Sequence, residues 1–290
     1  MQSRTGARWE EFLGRLDRRL VSLGLVLFTL PPLVGKWVLP LTASSPSRAL
    51  QAAVEAIPPE KLVFISSDWD AGTQAESRPQ LTAIVRHLLK QKRKFVLFSV
   101  NSPTGPQIAQ TTVEKAIKEE DLTEEQWKYG RDWANLGYKV ANTPWIRTLS
   151  RSIQEAMKED WQNTPISELE ILKGVDRWGP DGQVAMLIDV TGSATIEYWY
   201  AYLTPTKVKL GLACTGVMAP EQYPYLDSGQ LSGMLTGMKG AAEYFELIGA
   251  PSPELRVTMA GQSFAHLYIV LLILLGNVPI FLGWWQRRQR

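Results

Sequence analysis

The stretch VFISSDWDAGT, residues Val63–Thr73, decides how the fold and the function are interpreted. It opens as an apolar run typical of a buried β-strand and then presents two serines and the carboxylates of Asp68 and Asp70. Carboxylates directly after a strand can hold a metal, attack a phosphorus atom or cap the next helix. The role of these two acids is therefore the first question that the sequence poses.

Strands and helices alternate on both sides of this stretch. Three more apolar strands are predicted at KFVLFSVN, QVAMLIDV and KVKLGLACTG, and a weaker one at NLGYKV. Helices are predicted over PQLTAIVRHLLKQ, Gln107–Glu119 and Trp145–Lys158. Uniformly apolar strands that alternate with helices indicate a parallel sheet covered on both faces. We therefore predict a three-layer α/β domain of flavodoxin-like or periplasmic-binding-protein-like architecture.

Two apolar windows flank the predicted domain, and each is long enough to cross a bilayer. Arginines precede the first window and follow the second, which by the positive-inside rule places both termini in the cytoplasm. The rival interpretation is a signal peptide cleaved near LTAS, Leu41–Ser44. The predicted order is a basic amphipathic cytoplasmic segment (1–19), a transmembrane helix (20–41), an extracytoplasmic α/β domain (42–263), a second transmembrane helix (264–285) and a basic cytoplasmic tail (286–290).

Composition narrows the functional class. The 290 residues are 45% apolar and 21% charged, as in an ordinary folded protein, with a formal net charge of +2. Because the basic residues gather at the two ends, the extracytoplasmic part is acidic, and a nucleic-acid partner is not expected. The single cysteine, Cys214, excludes an internal disulfide. The predicted location is the cytoplasmic membrane, with the domain on its outer side.

A polar rim follows the predicted strands. In parallel sheets ligands bind beyond the carboxyl ends of the strands, where loops and helix N-termini converge. The candidate cleft residues at those ends are Asp68, Asp70, Ser99, Asn101, Asp189, Thr191, Ser193 and Thr215. A divalent metal held by Asp68, Asp70 and Asp189 is one occupant that this set allows.

Three catalytic chemistries fit this rim incompletely. FISSDWDAGT resembles the opening motif of haloacid-dehalogenase phosphatases, but Asp189 is a lone acid where that family has a metal-binding pair. LIDVTGS resembles the metal-binding motif of von Willebrand A domains, which needs a Thr and an Asp from loops well downstream, and here only one more strand and a helix are predicted before the second apolar window. Cys214 has no evident base for a thiol hydrolase. The remaining interpretations of Asp68 and Asp70 are helix and turn caps or ligand binding.

A glycine-rich segment near the second window is the other notable feature. GLACTGVMAPEQYPYLDSGQLSGMLTGMKGAAEYFELIG, together with YGRDWANLGYK and SSDWDAGT, resembles a group of bacterial and archaeal two-span membrane-anchored proteins with no assigned activity. A helix is predicted from Asp227 to about Ile248, with its apolar side on the sheet. Its glycines share a sector of about 80° on the opposite side, and they are the candidate partner interface: Gly229, Gly233, Gly237 and Gly240.

These patterns favour a non-enzymatic binding or assembly subunit of a membrane complex. Besides the bilayer, its expected partner is an integral-membrane protein or a second copy of the chain, because close-packed glycine faces are typical of helix pairs. The alternative is a metal-dependent, phosphatase-like hydrolase that uses the acids at the sheet edge. A requirement for a divalent metal would separate the two.

Overall fold

The computed structural model describes residues 17–288, and the chain divides into two compact units. One unit is Leu41–Ser252, and the other consists of the segments before and after it. The first unit holds a six-stranded, all-parallel sheet with helices on both faces. The prediction of a three-layer α/β domain is therefore confirmed at this level.

The strands follow the order β3-β2-β1-β4-β5-β6 across the sheet. Their bounds are β1 Leu62–Asp68, β2 Phe95–Ser99, β3 Trp133–Tyr138, β4 Val184–Thr191, β5 Lys209–Cys214 and β6 Gly233–Thr236. This is the doubly wound order found in dinucleotide-binding folds, whereas flavodoxin-like sheets run 2-1-3-4-5. The predicted flavodoxin-like order is thus wrong, because the residues of β6 were predicted as part of a helix and the apolar pattern of a strand does not show which strand it pairs with.

The helices form one layer on each face of the sheet. The layer that contains the first domain helix consists of α2 Ser45–Glu55, α3 Gln74–Lys90, α4 Gly105–Glu119 and α9 Gly237–Leu247. The opposite layer consists of α5 Thr143–Arg151, α6 Ile153–Ala156, α7 Ile196–Leu203 and α8 Ala219–Asp227. The predicted helix Trp145–Lys158 is divided in two, because Ser152 is extended and caps α6 through its side chain.

Aromatic packing fills the space between the sheet and the second layer. Phe64 of β1 contacts the ring of Trp178 at 5.0 Å between centroids, and Phe98 of β2 contacts the ring of Trp199 at 5.7 Å. All four side chains are buried. Because side chains alternate along a strand, Ser66 and Asp68 lie on the same face of β1 as Phe64. The end of β1 therefore brings an acid directly above an aromatic core.

The predicted glycine-faced helix Asp227–Ile248 is wrong. Helix α8 ends at Asp227, and Gly229 adopts a φ of +77° in the exposed turn that follows. Gly233 begins strand β6, and Gly237, at a φ of +57°, begins α9. Glycine is favoured at such φ values, so these residues interrupt the helix that their spacing appeared to continue.

The proposed interface of four glycines therefore has no common face. Gly233, Gly237 and Gly240 are buried inside the domain. Gly233 lies against the backbone of Ala49 and Leu50 in α2, and Gly240 against the backbone of Leu235. Their lack of side chains allows close packing within the domain, and this removes the basis for a partner-docking helix.

The start of α2 is held by an acid from α9. Glu243 accepts hydrogen bonds from the backbone N–H of Ser44 at 3.1 Å, from Ser44 Oγ at 2.5 Å and from Ser47 Oγ at 2.7 Å. Burial raises the pKa of Glu243, and these hydrogen bonds more than offset that effect, so the pKa lies below its ordinary value. Glu243 also pairs with Lys239 one turn earlier. An ionised carboxylate thus caps the first helix of the domain.

The second unit contains helix α1, Arg18–Val34, and helix α10, Pro253–Arg288. Of the described helices, one is long and apolar enough to cross a membrane, over Pro253–Val278. The window predicted as the first span, Leu20–Leu41, is helical only as far as Val34, because Gly35 caps the helix and Lys36 has a φ of +51°. Its 17 residues rise about 26 Å, somewhat short of a bilayer core of about 30 Å.

Helices α1 and α10 pack side by side in opposite directions. The hydroxyl of Tyr268 donates a hydrogen bond of 2.9 Å to the carbonyl of Val21, and its ring lies against Gly24. Further along, Leu33 lies against Gly261. A Cβ atom at either glycine would collide with the neighbouring side chain, so small residues set the separation of the two helices.

We expect Gly233→Ala to lower the free energy of unfolding by about 1–3 kcal/mol, because its Cβ would collide with the α2 backbone. Gly216→Ala is the matched control, since its Cβ would meet only Glu76 Oε2, at 3.7 Å. Chemical denaturation of the two variants measures the difference. Equal stability of both variants would contradict the internal placement of Gly233.

We expect acid to destabilise the domain through His87. Its side chain is 2% exposed, its Nδ1 lies 2.7 Å from the hydroxyl of Tyr244, and burial lowers its pKa from 6.5 to about 4. The unfolded chain binds this proton near pH 6.5 and the folded chain only near pH 4, so the contribution is complete above pH 6.5 and is lost as pH falls. The loss reaches about 3 kcal/mol.

The variant His87→Gln isolates this effect, because it keeps a neutral polar side chain that does not titrate. Denaturation curves at a series of pH values should show a smaller loss of stability between pH 6.5 and pH 4 for the variant than for the wild type. Parallel curves for the two proteins would show that His87 is not held neutral.

Candidate functional site

The candidate site lies where the sheet reverses its winding. Strands β1 and β4 are neighbours, with Ser66 opposite Asp189 and Asp68 opposite Thr191. From β1 the chain proceeds to β2 on one side, and from β4 it proceeds to β5 on the other. The two connections leave the sheet in opposite directions, and this opens a crevice beyond the carboxyl ends of the strands.

A cleft of about 210 Å³ occupies this crevice. It is formed by the loops after β1, β2 and β4. Two of its lining residues, Thr73 and Thr104, are the N-cap residues of α3 and α4. The residues that line it are Asp68, Trp69, Asp70, Thr73, Asn101, Ser102, Pro103, Thr104, Gly192 and Ser193.

Asp68 holds the loop after β2 in place. Its Oδ1 accepts hydrogen bonds from Ser99 Oγ at 2.8 Å, from the backbone N–H of Val100 at 2.6 Å and from that of Asn101 at 2.8 Å. Its Oδ2 bonds with the hydroxyl of Ser66. Burial raises the pKa of Asp68, and these four hydrogen bonds offset part of the rise. With both oxygens engaged and 1% of its surface exposed, the carboxylate is not free to attack a substrate.

Asp189 lies beneath the cleft and is completely buried. Its Oδ2 bonds with the hydroxyl of Thr195 at 2.8 Å. The indole N–H of Trp199 lies near enough to lower the pKa but does not reach hydrogen-bond geometry, and Oδ1 has no partner among the described residues. Burial and the nearby charge of Asp68 raise the pKa of Asp189 well above its ordinary value. Both effects therefore favour the protonated, neutral form of this acid.

Asp70 differs from both of these acids. It is exposed, and its Oδ1 accepts a hydrogen bond of 2.8 Å from the backbone N–H of Gly72, which closes a turn before α3. Asp68 and Asp70, two positions apart in the sequence, thus stabilise two different loops. Asp70 caps the turn between β1 and α3, and Asp68 holds the loop after β2. Within residues 17–288, no group of three or more His, Cys, Asp or Glu side chains is arranged to hold a metal ion.

The other predicted cleft residues divide into lining and supporting positions. Asn101 and Ser193 line the cleft and join its two sides through a hydrogen bond of 3.1 Å. Ser99 and Thr191 are buried below it and hold the loops after β2 and β4. Thr215 follows the last residue of the next strand, β5, and is not among the lining residues.

Several lining residues were missed from the sequence. Trp69, Pro103 and Gly192 lie within four residues of a strand end, so the loop positions themselves were the available signal. Helix α7 was also not predicted. It matters for the site because the hydroxyl of its N-cap residue, Thr195, donates a hydrogen bond to Asp189. The run IEYWYAYL has aromatic and apolar side chains on all sides, and this obscures a helical period.

The titratable groups outside the cleft do not form a nucleophilic site. Cys214 is fully buried at the end of β5, and burial raises the pKa of its thiol to about 12. Its backbone carbonyl accepts a hydrogen bond of 2.8 Å from Gln80. His87 lies in the α3–α9 packing, bonded to Tyr244. A thiolate activated by a neighbouring base is absent from the described part of the chain.

A second, larger groove of about 680 Å³ lies beside the edge strand β3. Its apolar walls include Ile117, Trp127 and Trp133. Both indole rings stack on Phe95, at 6.4 and 6.2 Å between centroids, and both side chains are buried. The rings therefore pack the edge of the sheet and offer little open face to a ligand.

Comparisons with protein-family models, with curated proteins and with solved structures found no match. The geometry of the chain itself is therefore the basis for any functional conclusion.

We expect opposite results from removing the two buried acids. Asp68→Ala should lower the free energy of unfolding by at least about 3 kcal/mol, because each buried donor left without an acceptor costs about 1–3 kcal/mol. Asp189→Asn should leave stability at pH 7 unchanged or raised, because burial and the charge of Asp68 favour the neutral form of this acid and a neutral amide has the same shape. Thermal or chemical denaturation of both variants tests this, and a strongly destabilised Asp189→Asn protein would show that Asp189 is charged.

Proposed function

We propose that this chain is a non-enzymatic binding or assembly subunit of a membrane complex, with its α/β domain outside the cytoplasm. The observation that carries the proposal is the set of hydrogen bonds of Asp68, the acid whose position in the sequence resembles the nucleophile of the phosphatase motif. Both of its oxygens are engaged by protein donors, so it builds the cleft and leaves binding to the surrounding loops.

The alternative, a metal-dependent hydrolase, requires a free carboxylate and a hard cation held by several oxygen ligands. Asp68 is engaged by protein donors, and Asp70 belongs to a separate turn. Burial and the nearby charge of Asp68 raise the pKa of Asp189 and so favour its neutral form, which is a poor ligand for a cation. A dinucleotide enzyme is equally unsupported by the order of the strands alone. The first turn of such folds needs several glycines for the approach of a pyrophosphate, and here the turn at residues 69–73 has one, Gly72.

The anchoring part of the proposal rests on the second unit. The antiparallel pair of α1 and α10 brings the start of one helix beside the end of the other, as two spans with both termini on one side require. The arginines near the two ends of the chain favour the cytoplasm for that side. Because α1 is short, the non-helical residues after Val34 would have to complete the first crossing.

We expect a cysteine placed at Lys173, an exposed position of the domain, to react with a membrane-impermeant maleimide in intact cells. A cysteine appended after Arg290 should react only after the membrane is permeabilised. The unaltered chain is the blank, because its one cysteine, Cys214, is fully buried. Protection of the Lys173→Cys protein in intact cells would place the domain in the cytoplasm and contradict the proposal.

We expect the purified full chain to hydrolyse p-nitrophenyl phosphate no faster, with or without Mg²⁺, than a variant carrying Asp70→Asn and Asp189→Asn. The two substitutions remove the remaining acids of the alternative site while leaving Asp68 and its hydrogen bonds intact. Magnesium-dependent turnover that the double variant loses would favour the hydrolase and overturn the binding function.

A further inference from the structure

We propose that helix α10 pairs with α10 of a second copy of this chain, through a face that points away from α1. This inference rests on the proposed anchoring in a membrane, and it names the partner that the anchored chain would have there. The face, called the α10 stripe, consists of Gln262, His266, Ile269, Ile273, Asn277 and Ile280.

The six residues of the α10 stripe lie on one side of a continuous helix. Helix α10 runs unbroken from Pro253 to Arg288. At about 100° per residue, the six share a sector of about 80°. The residues that contact α1, Gly261 and Tyr268, are centred about 130° away from this sector. The α10 stripe therefore takes no part in the pairing of α10 with α1.

Three polar side chains of the stripe are exposed and have no partner from another element. Gln262 and His266 make no hydrogen bond within the described part of the chain. Asn277 donates only within its own helix, to the carbonyl of Ile273 at 2.7 Å. All three lie in Pro253–Val278, the segment that is apolar enough to cross a membrane. Polar side chains in such segments face other helices, because hydrocarbon offers them no hydrogen-bond partner.

The apolar members of the stripe have the spacing of a coiled coil. Ile269, Ile273 and Ile280 have 47%, 57% and 69% of their surface exposed. Together with the first two polar members, they follow one another at intervals of four, three, four and seven residues, as the a and d positions of heptads do. Gly276 occupies the one heptad position left out, and no atom lies within 4 Å of the place of its Cβ. A second helix can therefore approach the backbone there.

The chemistry of the stripe fits a second copy of the same helix. Copies inserted in one membrane share one orientation, so two α10 helices related by a two-fold axis run parallel and place each residue opposite itself. The side-chain amides of Gln262 and Asn277 each carry both donors and an acceptor, so each can bond with the same group of the other copy. The stripe contains no Lys, Arg, Asp or Glu that would call for a partner of opposite charge.

The first test cross-links single cysteines placed in α10 of the full chain. The native Cys214 is fully buried in the domain and does not interfere. We expect Ile273→Cys to form a disulfide-linked dimer in membranes oxidised with copper phenanthroline. Leu274→Cys is the matched control, because Leu274 has the same exposed fraction, 57%, and lies about 100° around the helix. It should give at least about tenfold less dimer, since a disulfide needs Cα atoms within about 7 Å of each other.

The second test removes the polar contacts of the stripe by combining Gln262→Leu with Asn277→Leu. The dissociation constant of the dimer in mild detergent, measured by sedimentation equilibrium, should rise at least about tenfold, because the hydrogen bonds between the helices are lost. The melting temperature of the domain should not change, since both positions lie outside Leu41–Ser252.

The remaining outcomes separate this inference from the proposed function. Equal cross-linking from Ile273→Cys and Leu274→Cys, or an unchanged dissociation constant in the double variant, would overturn the α10 stripe as the interface. A monomeric chain in the membrane fraction, or a cross-linked product whose mass is not that of two chains, would overturn the second copy and leave the anchored subunit in place. Recovery of the chain in the soluble fraction of broken cells would overturn the anchoring itself, and the pairing of α10 with it.

Discussion

The carboxylate of Asp68 is the constraint on which the functional end of the domain depends. It belongs to β1, yet three of its four donors belong to the end of β2 and the loop that follows, and they lead directly into α4. A single side chain thus fixes the relative position of two neighbouring strands and the start of a helix. The loop it holds carries Asn101, which reaches across to Ser193 after β4. The geometry of the cleft is in this sense a consequence of one buried acid.

The two buried acids show how a protein can place like charges close together. Donors surround Asp68 and stabilise its charge, whereas burial above the aromatic core raises the pKa of Asp189 and favours its neutral form. Two charged carboxylates without donors in this space would repel each other strongly in a medium of low polarity. The arrangement suits a rigid scaffold better than a reacting centre, because a change in charge at either acid would disturb the loops that shape the cleft.

The sequence predicted the elements whose patterns are strong and local. The apolar runs that became β1, β2, β4 and β5 are buried along nearly their whole length, so they could be found without knowledge of their neighbours. Strand β6 could not, because its four residues begin with Gly233, whose role depends on the distant backbone of Leu50. The partners of Asp68 were hidden for the same reason, since its donors lie about thirty residues away in the chain. The cleft was predicted at the correct edge of the sheet, but its lining depended on loop shapes that only the fold provides.

The hydrogen bonds between Ser44 and Glu243 also bear on how the domain is joined to the rest of the chain. They join the first turn of the domain to its last helix, so the chain enters and leaves the domain at neighbouring points. Domains with adjacent ends can be inserted into another structure or removed from it with little disturbance of either part. Here the host is a pair of helices that pack against each other through their own contacts. In chain order, the protein is thus a pair of helices with an entire folded domain in the place of their connecting loop. The hydrogen bonds from Ser44 to Glu243 hold the first helix of that domain to its last helix.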